Sequence, residues 1–370
     1  MKTRSGIAFL TCFVLTCLYA CVEPYEVRYQ LNANLLSVEG FVSDQPGTNV
    51  SISIGRNVNQ SYYSEAVSGC TAEIRTGDGK SIPLQEVSAG LYAAPSTFKG
   101  LIGESYQLFF RMPNGNTYQS PKEVLRSTPE IKNTFQQYNP NGILDNTGTR
   151  VFASTVDIYL EFDDPKEIQN AYLWRWKLWE EQGICLTCYG GRLGPNGKCV
   201  STIGPLVADY DYSCDRECWE ILYNKNINIL NDNFINGRSV AGKLVAQIPF
   251  YSPNRGALIE IEQLGISKEA YDYFQLISNQ TQSTGTLTDT PPAAIIGNIQ
   301  NVKDPQEKIV GYFGAASSRK VLYWITREGY PDPIVTTLLG HQINMDVSPS
   351  PTFPCVLSKD RTPIRPEGWR

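Results

Sequence analysis

Asn49-Val50-Ser51-Ile52-Ser53-Ile54 places three β-branched apolar residues at every second position, with small polar residues between them. That period of two is the mark of a half-buried strand. Upstream, Leu35-Leu36-Ser37-Val38-Glu39-Gly40-Phe41-Val42 reads as a first strand. Downstream, Thr71-Ala72-Glu73-Ile74-Arg75 and Lys80-Ser81-Ile82-Pro83-Leu84 flank Thr76-Gly77-Asp78-Gly79, a hairpin signal. Gly90-Leu91-Tyr92, Tyr106-Gln107-Leu108-Phe109-Phe110 and Tyr118 continue the series, with Met112-Pro113-Asn114-Gly115-Asn116 as a further turn. About seven short strands at this spacing predict an immunoglobulin-like sandwich over residues 35–125. The boundary is expected between Pro121 and Pro129.

The remainder, residues 126–370, reads as a second, larger β-rich domain with one or two short helices. Val156, Ile158, Leu160 and Phe162 share one strand face. In the next strand Tyr172, Trp174, Trp176 and Leu178 face one way and Leu173, Arg175, Lys177 and Trp179 the other. A buried core explains such aromatics better than a sugar-stacking platform, because large rings carry most of their energy through burial. Strands follow at Leu244–Phe250, Ala257–Glu262, Ile309–Phe313 and Val321–Ile325. Ser267 is placed to cap a helix running to about Gln280, with Glu269 in its first turn and Ala270, Phe274 and Ile277 on one face. The fold class is therefore mainly β.

The first residues decide the compartment. Lys2 and Arg4 precede an apolar run from Ile7 to Leu18, and Leu18-Tyr19-Ala20-Cys21 follows. This order describes a secretory signal over residues 1–20, too short in its apolar part to span a bilayer. The last four residues match a lipobox, which makes Cys21 the expected lipidation site and residues 21–34 a lipidated tether. The competing reading is an ordinary signal cut near a chance cysteine. Loss of residues 1–20 takes Lys2 and Arg4 from 32 basic residues and leaves 37 acids, a mature balance of −7. No basic cluster points to nucleic acid as a partner.

Of ten cysteines, seven remain once Cys12, Cys17 and Cys21 are set aside. Five of them, Cys185, Cys188, Cys199, Cys214 and Cys218, fall in an insert over residues 183–220. Zinc would use paired cysteines, but the second pair is spaced C-x-x-x-C and Cys199 is surplus to a four-ligand site. Disulfides persist in an exported chain. The expectation is three bridges among these five and Cys355, with Cys70 the buried free thiol; spacing leaves the connectivity open.

Other constellations argue against catalysis. A single histidine, His341, and the lack of a G-x-S-x-G elbow exclude the familiar triads, so no enzyme activity and no cofactor are expected. Gly79-Lys80-Ser81 lacks the first glycine of a phosphate loop and reads as a turn. Asp209, Asp211, Ser213 and Glu220 stand at calcium-loop positions, yet Cys214 occupies the glycine place and Arg216 the apolar one. The alternative there is an acidic turn entering a short helix at Glu217 to Tyr223. Glu180/Glu181 and Asp163/Asp164 are adjacent and point to opposite faces of any strand, so neither makes an acid–base pair unaided.

A family resemblance rests on Cys21-Val22-Glu23-Pro24-Tyr25, Leu36-Ser37-Val38-Glu39-Gly40, Gly90-Leu91-Tyr92 and Gly103-Glu104-Ser105-Tyr106. Later residues extend it: Ser267-Lys268-Glu269-Ala270-Tyr271-Asp272-Tyr273-Phe274, Pro291-Pro292-Ala293 with Gly297-Asn298-Ile299, and Asp304-Pro305 with Gly311-Tyr312-Phe313. In this order they resemble the domain-of-unknown-function 4249 family of Bacteroidota surface lipoproteins. The resemblance implies a lipoprotein of the outer membrane and cell surface, often encoded beside a TonB-dependent, SusC-like barrel, with no catalytic residues to carry over. Glu23 and Glu26 would form a sparse acidic export signal. The function expected is that of a non-catalytic partner or lid of such a barrel in nutrient capture. The alternatives are an accessory subunit of a larger envelope complex, for protein secretion or outer-membrane protein insertion, and an enzyme whose carboxylates only the fold assembles.

Overall fold

The structure, a computed structural model, describes residues 34–58, 61–144, 152–166, 170–201, 209–249, 256–281, 295–331 and 352–370. The leader, Cys21 and His341 lie outside the described residues. The chain is mainly β, with one α-helix and one 3-10 turn among the described residues.

The alternation at the N-terminus becomes β1 (Leu36–Val42) and β2 (Asn49–Val58), antiparallel with Val38 opposite Ile52. Val38, Val50 and Ile52 are fully buried. They share one core with Ile74, Leu108 and Phe110 of Thr71–Thr76 and Ser105–Arg111, so the long sheet folds over itself in a sandwich-like arrangement. The Gly79 turn is the expected hairpin between Thr71–Thr76 and Ser81–Ser88.

This first body is not closed by residues 35–125 alone. Ile309–Val310 and Phe313–Ala315 add to β1 in parallel, and Gln300–Asn301 adds to Thr117–Gln119. Ile299, Ile309, Phe313 and Ala315 are buried in the first core. Residues that read as part of the second domain thus complete the first. Parallel pairing requires a long crossover, here most of the chain, which local periodicity does not register. Between the two parallel pairings Gly311 sits at φ +91°, and a Cβ there would lie 2.2 Å from the Val38 carbonyl oxygen, so this crossing point admits only glycine.

The second body packs a three-stranded sheet (Ile131–Leu144, Phe152–Asp163, Ser239–Pro249) on a six-stranded one centred on Ala171–Glu181. Val156, Ile158, Leu160 and Phe162 meet Tyr172, Trp174, Leu178, Ile259 and Ile261 in its core. Tyr172 and Trp174 are fully buried, so these aromatics form core and offer no sugar platform. Trp174 Nε1 donates to Gln263 Oε1 at 3.0 Å, the partner a buried indole requires. The opposite face of the same strand carries Leu173, which packs with Leu264, Ile266 and Ala270 of helix α1 (Lys268–Thr281). Ser267 Oγ accepts from the Ala270 N–H at 3.2 Å, the cap read from the sequence. Residues 217–223 are not helical: Trp219–Tyr223 is a strand, antiparallel to Ala171–Glu181, with Trp219 buried and Cys218 tied by a disulfide. Pairing with a central strand outweighs the weak local helix preference.

The chain crosses directly between bodies at several points. Ala316 N donates to Val42 O at 2.9 Å, Ser318 N to Asp44 Oδ1 at 2.8 Å, and Arg319 bridges Asp44 and Glu130. Asp44 and Arg319 are both mostly shielded, which makes this pair stronger than an ordinary surface bridge.

Candidate functional site: a cavity at the seam of the two bodies

Where β1 approaches α1, four rings meet. Phe41 stacks on Phe274 at 6.2 Å and on Tyr312 at 6.5 Å, and Tyr273 lies 5.3 Å from Tyr312. The tyrosines are held by their hydroxyls. Gly311 N donates to Tyr273 Oη at 3.0 Å, and Tyr312 Oη donates to Glu123 Oε1 at 2.7 Å beside Ser267 Oγ. Burial pushes the Glu123 carboxyl upward, and burial with the carboxylate beside it drives the Tyr312 phenol far above its ordinary range. Tyr312 therefore stays a hydrogen-bond donor.

Tyr273 and Tyr312 separate two concavities. One, of about 590 Å³, is bordered by Glu123, Leu276 and Ile296. The other, of about 560 Å³, lies between the bodies, with the rings as floor, Glu39 and Asn49 on the first body, and Arg175, Glu262 and Lys320 on the second. Both volumes are in the range of small-molecule pockets, roughly 300–1,000 Å³.

Strand register explains the charged wall. Arg175 stands opposite Glu262, and Glu262 opposite Lys320, so a positive–negative–positive row crosses three strands on one face. That face is the one on which Leu173 lies beneath α1; two residues on, the helix no longer covers it and Arg175 meets the cavity. Glu262 is drawn the other way, its Oε1 accepting from Ser318 Oγ at 2.6 Å with Lys320 Nζ 3.8 Å off. Arg175 instead lies over the Phe41 ring at 5.2 Å. Crowding by surrounding protein pulls its guanidinium pKa down, partly offset by Glu262 and Glu39, while the open cavity keeps it wetted.

The cysteine insert follows its expected chemistry. Cys185–Cys214, Cys188–Cys199 and Cys218–Cys355 form three disulfides, and Cys70 is free. Cys185, Cys218 and Cys355 are the one group of three potential metal ligands among the described residues, and all three sulfurs are in disulfides, so they offer no thiolate to zinc. Cys70 is half-buried at the margin of the first core rather than fully buried as expected, and burial still raises its thiol pKa, which suits an unreactive residue.

The calcium candidates do not come together. Asp209 and Asp211 precede and enter a strand, Tyr210–Cys214, rather than a loop. Asp211 Oδ1 accepts from Thr187 Oγ1 at 2.6 Å, Asp209 Oδ1 from Gly190 N at 2.8 Å, and Glu220 Oε2 from Gln182 Nε2 at 3.2 Å. Ser213 pairs with Ile184 in the same ladder. Strand pairing with Ile184–Cys188 removes the sharp turn a calcium loop needs.

Glu180 and Glu181 do point apart, and Glu180 has a role that sequence reading missed. It shares a bidentate buried pair with Arg327, whose Nη1 lies 3.0 Å from Oε2. The parity that puts Glu180 on the face of Tyr172 and Trp174 was the available signal. Phe41, Glu39, Arg175 and Tyr312 carried no such signal, being far apart in the chain.

No protein of curated function matches the chain. The family model described as Domain of unknown function (DUF4249) matches residues 22–321, which takes in both bodies, α1 and the seam. With that match over most of its length, the chain belongs to the DUF4249 family.

Proposed function

We propose that this protein is a lipid-anchored, non-catalytic binding partner of an outer-membrane TonB-dependent, SusC-like barrel, and that it helps capture a nutrient. The observation that carries binding is the seam cavity: about 560 Å³, walled by both bodies and floored by aromatic rings. Pockets between domains with convergent polar groups on an apolar floor are the usual form of ligand sites. Two seam carboxylates are already committed, Glu262 to Ser318 and Glu123 to Tyr312, which speaks for recognition over acid–base work. Attachment at Cys21 rests on Leu18-Tyr19-Ala20-Cys21 and the segment before it, and the outer-membrane location rests on the family resemblance.

The decisive experiment is purification of the tagged protein from its own envelope in mild detergent, with metabolic acyl labelling. A labelled chain that brings a barrel protein with it supports the proposal, and Cys21→Ser is expected to lose the label and the membrane fraction. Recovery without any barrel would sink the partnership. Depletion separates the alternative: a single nutrient defect supports capture, whereas loss of many outer-membrane proteins supports an accessory subunit of a larger envelope complex.

A further inference from the structure

The seam cavity has an unusual charge arrangement. Arg175 makes no hydrogen bond or ion pair with any described residue, because its cross-strand neighbour Glu262 is engaged by Ser318 Oγ and Lys320. Across the cavity, on β1, Glu39 likewise has no bonded partner among the described residues; its ladder neighbour is Ser51, which carries no charge. The two charges feel one another electrostatically but stand beyond ion-pair distance. The cavity thus holds an uncommitted cation and an uncommitted anion, with Phe41 and Phe274 among the rings that line it; Arg175 lies over Phe41, two residues along β1 from Glu39.

We propose that this cavity binds short peptides by both free termini, the terminal carboxylate on Arg175 and the terminal ammonium on Glu39. The assignment deepens the binding role proposed above and rests on it. A guanidinium presents paired donors that match a carboxylate, and ligation through charged hydrogen bonds is stronger than through neutral ones. A plain anion would satisfy Arg175 but meet Glu39 with like charge, and a plain cation would do the reverse. A neutral sugar would engage both through hydroxyls and neutralise neither. A zwitterion complements both walls at once, and a side chain between its termini rests on the rings. A single amino acid leaves much of 560 Å³ empty, whereas a tripeptide occupies it well. Phe41 holds the guanidinium in place by its ring face, which pre-orients the donor before ligand arrives.

The test is calorimetric titration of the mature, detergent-solubilised lipoprotein with Ala-Phe-Ala, its N-acetyl form, its C-terminal amide, and maltotriose. The free tripeptide is expected to bind, and each blocked form to bind at least about tenfold more weakly, the loss of one charged hydrogen-bonding site. Arg175→Met should reproduce the loss seen on amidation, and amidation should then cost nothing further; Glu39→Gln should do the same for acetylation. Equal affinity for free and blocked peptides, or no binding of the free tripeptide, overturns the assignment. Binding of maltotriose alone also overturns it, while leaving the capture role standing. Absence of a barrel on co-purification defeats the partnership without altering the peptide result, so the two failures are distinct.

Discussion

Removal of the Cys218–Cys355 disulfide should be the costliest single loss in the cysteine insert. The bridge joins residues 137 apart, against 29 for Cys185–Cys214 and 11 for Cys188–Cys199. In the chain-entropy account, closing loops of these sizes stabilises the folded state by about 5, 4 and 3 kcal/mol respectively. The structure adds a local consequence. The C-terminal strap is held on the second body by short pairings, Ser213 to Thr352 and Trp219 to Thr362, and by Trp369 packed edge-on against Trp219 at 5.8 Å and Trp324 at 5.1 Å. Without the bridge the strap is held only by these non-covalent contacts and a few hydrogen bonds, such as Arg361 Nη1 to the Cys185 carbonyl at 2.7 Å. The double variant Cys218→Ala/Cys355→Ala should lower unfolding free energy by up to about 5 kcal/mol in urea, roughly 2 kcal/mol more than Cys188→Ala/Cys199→Ala. Amides of residues 352–370 should also exchange faster by hydrogen-exchange mass spectrometry. If the eleven-residue bridge proved as costly, or the strap amides remained protected, the loop-length reasoning would be wrong for this molecule.

Glu180→Gln should destabilise by up to about 3–5 kcal/mol, since it removes a bidentate charged partner from Arg327, whose side chain is 1 % exposed. Pairing it with Arg327→Met should recover most of the loss in a denaturant titration; no recovery would mean the cost is not electrostatic. Glu123 gives a pH signature. Its folded pKa is raised by burial, so the folded state holds the proton more tightly than the unfolded one. The favourable contribution is therefore present below the ordinary carboxyl pKa of 4.5 and is lost as pH climbs through the raised folded value. Glu123→Gln, still able to accept from Tyr312, should flatten that fall and gain stability relative to wild type at neutral pH; unchanged pH slopes would refute this. A fragment of residues 34–128 should fail to fold alone, because Ile309 and Phe313 would be missing from its core. Fusing residues 295–316 to it should restore protection of the β1 amides, and a folded fragment without them would contradict the pairing.

Much of this fold was readable from period-two runs. Val50, Ile52, Val156, Ile158, Leu160 and Phe162 are all fully buried as their alternation required, and Ser267 caps the helix it was expected to cap. The six bonded cysteines and free Cys70 also followed from compartment and parity. Readings failed where the decisive contact was distant. Trp219–Tyr223 reads locally as a possible helix, but Ala171–Glu181 recruits it as a strand. Ile309–Val310 carries no mark that it will lie beside Leu36. The seam was invisible for the same reason: Glu39 and Arg175 are ordinary exposed strand charges until two bodies face one another.

The return of residues 295–316 to β1 links these points. A chain whose first body closed on itself could swing on a flexible joint near residue 125, and a cavity between the bodies would then open and shut with that joint. Here the chain leaves the first body at Leu125 to Glu130, comes back to complete its sheet, and departs again through Ala316 and Ser317, which run parallel to Arg126, with Ser317 N donating to the Arg126 carbonyl at 3.3 Å. Two parallel connections side by side, reinforced by Arg319 with Asp44, resist the rotation that one connection allows. The strands that carry Glu39 and Arg175 are consequently held in one relation by the backbone. Glu39 and Arg175 form no ion pair with each other on this frame, so each charge remains available to a ligand that bridges them.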